Sequence, residues 1–141
     1  MAQNFCRIYK HIPMKTNDAT HNRPEGDRIL DAPFVIADID ERIDQLKDEK
    51  AWDTNDRNGI TLVKNEKMTI VLTCLHEDAA INDNLVDGIL TIEVLEGKVK
   101  LITEIDTCEL KARSLVTLRA NIAHSIHAVK RSVLLITNHV S

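Results

Sequence analysis

Six histidines and three cysteines are the residues of this chain best suited to ligation or proton transfer. His124 and His127 stand three apart in HSIHAV, a β-branched stretch that reads as a strand. Side chains alternate along a strand, so the two rings face opposite sides and cannot chelate one ion. His124 is expected to point inward with Ile126 and Ala128, and His127 outward. An inward imidazole is either held neutral by a backbone carbonyl or water, or contacts a ligand or exchanges a proton. His76 precedes Glu77 and Asp78 and reads as surface loop, while His11, His21 and His139 read as structural or solvated. Cys6, Cys74 and Cys108 are odd in number and widely spaced, which suits neither a disulfide framework nor paired zinc ligands. Cys74 and Cys108 lie on apolar runs and read as small core residues. Asp56 and Arg57, in DRNG, read as a turn with its own ion pair. With four glycines in all, the chain has no Gly-rich phosphate loop, and neither a nucleophile elbow nor a Cys-x-x-Cys pair occurs.

The elements that would position these residues follow from the period of the apolar side chains. Residues 1–33 hold all three prolines and read as an extended arm with turns, which Phe5, Ile8, Tyr9 and Ile12 would press against the rest of the molecule or a partner subunit. A helix is expected near 38–51: Asp38 is placed to cap it, Glu41 follows three residues later, and Ile39, Ile43 and Leu46 share a face. It should end before Asp53, in the turn-rich DTNDRNG. From Ile60 the period becomes that of strands. ITLVK and MTIVLTCL flank a hairpin-length Asn65-Glu66-Lys67, HEDAAINDN reads as a polar loop, and GILTIEVLEG, KVKLITEI, CELKA, SLVTL, HSIHAV and SVLLITNHV complete the series. Seven or eight short strands argue an antiparallel sandwich or barrel.

Two of these stretches, NLVDGILTIEVLEG from Asn84 to Gly97 and RSLVTLRANIAH from Arg113 to His124, resemble the two signature segments of the cupin superfamily. The wider chain, with RPEGDR, DAPFVIADID and DRNGITLVK, is similar to small bacterial cupin-domain proteins without an established activity. The resemblance implies a mainly β fold, a double-stranded β-helix (jelly-roll barrel) over 34–141, with one N-terminal helix and the arm of 1–33 before it. It aligns the closing glycine with Gly97 and the third metal histidine with His124. The first metal histidine falls on Asn84, the second on Val86 and the glutamate on Leu90. The strand phase that would carry ligands holds Val86, Leu90, Ile92 and Val94, and Glu93 lies in the other phase. Donor count therefore argues against a metal and against any cofactor. At the second segment Arg113 stands for a turn glycine, where a locally altered turn is expected, and Asn121 replaces another that needs φ > 0.

The chain of 141 residues, 43% hydrophobic and 3% aromatic, has room for one aliphatic core. Its net charge is −4 with basic residues scattered, so no nucleic-acid footprint is expected. The start of the chain has no apolar secretory region and no window approaches the ~18–20 apolar residues of a membrane span, so no membrane partner is expected and a soluble, cytoplasmic protein is. The functional expectation is a non-catalytic homodimer binding a small molecule in an apolar barrel cavity, with His124 and Asn84 as ligand contacts. The alternative is a metal-dependent dioxygenase or isomerase using His124 with donors such as Asp83, Asn84 or His76. A metal-free epimerase with His124 as base would also need an orienting carboxylate, and the inward positions offer none.

Overall fold

The computed structural model describes residues 14–140, apart from the side chain of Asp83. Phe5, Cys6, Ile8, Tyr9, His11 and Ile12 lie outside the described residues. Nine strands form two antiparallel sheets: β3 (Arg57–Lys64), β4 (Met68–Leu75), β5 (Ala80–Asn84), β6 (Ile89–Glu96), β7 (Lys98–Thr103), β8 (Thr107–Lys111), β9 (Leu115–Leu118), β10 (His124–Ala128) and β11 (Ser132–His139). One sheet runs β3-β4-β11-β6-β9 and the other β5-β10-β7-β8. This is the expected two-sheet barrel, with one strand more than the β period suggested. The added strand is β5, in the stretch read as a polar loop. Its Ile81 pairs with Ile126 and packs on the inner core, while polar neighbours hide the alternation.

Alternation divides the apolar residues into two layers. Leu90, Ile92 and Val94 of β6, Leu134 of β11, Val99 and Leu101 of β7, and Ile126 of β10 fill the space between the sheets. Val86 packs against this group and Glu93 stays out of it, as the strand phase requires. Each such side chain taken fully from water contributes roughly 1.5–3 kcal/mol before entropy is counted. The opposite face of the larger sheet, with Ile60, Leu62, Leu72, Cys74 and Val133, is covered by Ile43, Leu46 and Trp52.

Those covering residues come from a helix interrupted once. The segment α1 (Ile39–Asp48) begins at Asp38, whose side chain accepts the Glu41 N–H at 3.0 Å. Glu49 then turns extended, with ψ 147°, and a short α2 (Lys50–Thr54) follows. The single helix expected near 38–51 is thus two, and helical structure passes Asp53. The cause is long-range: Glu49 is bound to residues outside its own helix.

Residues 15–31 form a two-stranded ribbon, β1 (Lys15–Asn17) and β2 (Arg28–Asp31), against the edge strand β3. Among the described residues, no helix is long and apolar enough to cross a membrane.

Three turns test the sequence at single residues. Gly97 has φ 86°, and a Cβ there would run into the Arg131 carbonyl and the Ser132 hydroxyl. Asn121 has φ 64°, as expected for its type. Arg113 also keeps the left-handed geometry, with φ 72°, where an altered turn was expected. Its N–H donates to Val94 O at 2.7 Å, and that bond offsets a strain of roughly 1–2 kcal/mol.

Candidate functional site at the barrel mouth

The site is assembled at one end of the barrel, where β6 begins and where β5, β7 and β11 finish. There His124 of β10 lies between Thr103 of β7 and Asn84 of β5 as cross-strand partners, with a bulge between His124 and Ile126 on the β5 side. The two residues singled out by the sequence, His124 and Asn84, are therefore direct neighbours. His124 is only 4% exposed, whereas Asn84 is exposed. Phase places His124 with Ile126 and Ala128 in the inner layer, while His127 reaches Asp78 on the outside at 3.6 Å.

His124 Nδ1 lies 3.1 Å from Ile122 O. A carbonyl oxygen only accepts, so Nδ1 carries a proton; in the neutral ring that leaves the lone pair on Nε2. Among the described residues Nε2 has no hydrogen-bond partner.

The opposite wall adds a residue that the motif comparison missed. Asn138 pairs with Leu90 in the β6–β11 ladder, so it shares the inward face of Leu134 and Ile136. Its Oδ1 is buried without a hydrogen-bond partner, the only such side-chain atom among the described residues. It rests against Gly88, 2.5 Å from where a Cβ would stand. Reading SVLLITNHV in strand phase would have found Asn138, because it is the polar residue in line with Leu134 and Ile136 at the mouth, as Ser132 is at the other end.

A metal does not fit this set. The positions aligned with family ligands hold Asn84, Val86, Leu90 and His124, which supply one imidazole and one amide. A divalent transition ion takes three or four such donors, oriented by further hydrogen bonds. Among the described residues no three His, Cys, Asp or Glu converge. His76 cannot make up the number, because it follows β4 at the opposite end of the barrel. It is no solvated loop residue either: its ring stacks on Trp52 at 3.5 Å and its Nε2 lies 2.7 Å from Trp52 O.

A second polar cluster lies under α1. Arg23 Nε donates to both Glu49 oxygens at 3.1 and 3.0 Å, and its Nη2 to Asn58 Oδ1 and Gly59 O. Asn58 Nδ2 and Gln45 Nε2 complete the carboxylate's shell. Burial pushes the Glu49 carboxyl up, but hydrogen bonds from Asn58, Gln45 and Arg23, with the Arg23 charge, outweigh it and hold the group below the usual carboxylate range. A cleft of about 360 Å³ opens beside this cluster, lined by His21, Pro24 and Glu25 among others. Every polar atom of Glu49 is already bonded, so the cluster reads as a clamp for the ribbon.

Asp56 and Arg57 form the expected ion pair, at 2.9 Å, and Arg57 also donates to Ala80 O. Cys74 is buried and its thiol is pushed up to about 11 by burial, as suits an inert core residue. Cys108 departs from expectation and is exposed, because β8 is an edge strand. His21 and His139 are exposed.

No family model matches the chain, and no curated protein matches its sequence. Solved structures do match it in shape. A cupin superfamily protein from Desulfitobacterium hafniense aligns with a TM-score of 0.63 at 12% identity, over 79% of this chain and 95% of that one. A conserved protein of unknown function from Streptococcus pyogenes aligns with a TM-score of 0.63 at 15% identity, over 89% and 96%. An RmlC-like cupin from Shewanella frigidimarina aligns with a TM-score of 0.57 at 14% identity, over 61% and 78%.

Proposed function

Because this chain has the cupin fold, we propose that it is a metal-free binding domain taking a small, largely apolar molecule at the barrel mouth, with His124 and Asn84 as its polar contacts. The observation that carries this reading is the state of His124: inward, with Nδ1 engaged by Ile122 O and Nε2 unpartnered, on an otherwise aliphatic wall. An imidazole nitrogen so placed accepts one hydrogen bond from a ligand hydroxyl or amide. The interior behind it is filled by side chains, which supports the entrance rather than the interior as the place of binding. A homodimer belongs to the same reading, supported by the open edge strands β8 and β9.

The test is a thermal-shift screen of small hydroxylated and amide-bearing apolar compounds against the native chain and His124→Leu. A ligand at about 100 times its Kd stabilises by roughly 2.7 kcal/mol. Hits that shift the native chain and leave His124→Leu unmoved are expected; equal shifts in both would refute the site. Metal analysis of protein purified without a histidine tag should find far less than one equivalent. A stoichiometric transition metal would instead favour the enzyme reading.

A further inference from the structure

We propose that the corner where β2 meets the start of α1 binds a small organic carboxylate with an apolar body, held by Arg28 and Arg42, independently of the barrel mouth. A pocket of about 50 Å³ lies there, lined by both arginines and by Ile29, Val35, Ile36 and Leu62 among others. One water-sized sphere takes ~10–15 Å³, so the pocket admits a group of a few heavy atoms, the size of a carboxylate. Leu62 is buried and Ile36 is 62% exposed, so the apolar lining runs from the core to the surface. Cations set beside apolar walls select a molecule that is anionic at one end and apolar elsewhere.

The charges of this corner are out of balance. Of its arginines, Arg23 is neutralised by Glu49 at 3.0 Å. Arg28 donates from Nε to Thr61 O at 2.6 Å and from Nη1 to Gly26 O at 2.8 Å, and its Nη2 lies 3.2 Å from the Asn17 amide. Arg42 donates from Nη1 to Gln45 Oε1 at 2.6 Å and to Glu25 O at 3.1 Å, and from Nη2 to Asp27 O at 3.5 Å. All of these acceptors are neutral. Among the described residues no carboxylate comes within ion-pair distance of either side chain. That of Asp27, which also lines the pocket, accepts the Ala19 N–H. Residues 1–13 contain no Asp or Glu. Burial and the charges of Arg23 and Arg42 push the Arg28 guanidinium below its ordinary value, the mark of a cation short of anions. A guanidinium has five N–H donors in a planar fork that fits a carboxylate. Three are engaged on Arg28 and three on Arg42, so both keep donors for a bound anion.

The probe is hexanoate, with hexanol, hexylammonium and inorganic phosphate beside it, titrated calorimetrically into the native chain, Arg42→Gln, Ile36→Ser and His124→Leu. The native chain is expected to bind hexanoate with a Kd below about 10 mM, and the three comparison compounds about tenfold more weakly or not at all. Arg42→Gln should raise the hexanoate Kd about tenfold, and Ile36→Ser, which alters an exposed side chain, should raise it several-fold. His124→Leu should bind hexanoate as the native chain does. Absence of hexanoate binding, or a Kd unchanged in both pocket variants, would overturn the proposal. Hexanoate binding lost in His124→Leu would overturn it too, by placing the anion at the mouth. Phosphate held as tightly as hexanoate, or hexanol as tightly, would overturn the ligand class by removing the apolar body or the charge from recognition.

Discussion

The seam beneath α1 and the mouth of the barrel both take polar side chains out of water, with opposite outcomes. At the seam, Glu49 is met by Arg23, Asn58 and Gln45, and every oxygen has a donor. At the mouth, the buried Asn138 Oδ1 has none among the described residues. A satisfied buried network resists change and fixes the position of the chain around it; an unsatisfied group costs stability until a partner completes it. The difference separates a clamp from a site, although both contain residues of the same types.

The largest effect should come from breaking the clamp. Arg23→Ala leaves Glu49 buried and without its cation, at a cost of about 3–5 kcal/mol in urea denaturation. A loss under about 1 kcal/mol would show that water reaches the carboxylate and would erase the contrast. The next effect is on acid stability. The Glu49 carboxyl is held below its ordinary value in the folded chain, so its contribution is complete above the unfolded value of about 4.3 and disappears as pH falls through the lower folded one. The melting temperature of the native chain should therefore fall more steeply between about pH 5 and 3 than that of Glu49→Gln. Equal slopes would mean that other carboxylates govern acid unfolding.

Smaller changes are expected at the mouth. Asn138→Leu removes a buried oxygen without a partner and should leave stability unchanged or raise it by about 1 kcal/mol, read by thermal melting. A loss larger than that would reveal a partner for the amide. His124→Leu should move stability by less than about 1 kcal/mol, since it forfeits one 3.1 Å bond and adds apolar contact. Its consequence should appear in ligand binding alone. A heavily destabilised His124→Leu would make the imidazole a structural part and weaken the site.

The sequence made the mouth only partly legible, and for physical reasons. Period-two alternation located His124 inside and His127 outside, because strand geometry is local. Gly97 and Asn121 could be assigned positive φ from their side chains, while Arg113 escaped that logic: the Val94 carbonyl that holds it lies on a different strand. β5 was missed since its polar residues face water along a sheet edge. Glu49 looked like an ordinary surface acid of a helix. The residues that bury it, Arg23 and Asn58, are 26 and 9 positions away, and neither spacing is periodic.

The position of β11 has a consequence for how the molecule is made. It lies between β4 and β6 at the centre of the larger sheet, pairing Leu72 with Leu135 and Ile136 with Ile92. Until Ser132–His139 has been synthesised, the sheet exists only as two separate ribbons, β3–β4 and β6–β9. The aliphatic faces of both stay open to water and to other chains. Ser132–His139 must therefore be made before the barrel can close, and a nascent chain stalled short of β11 presents edges ready for wrong pairing.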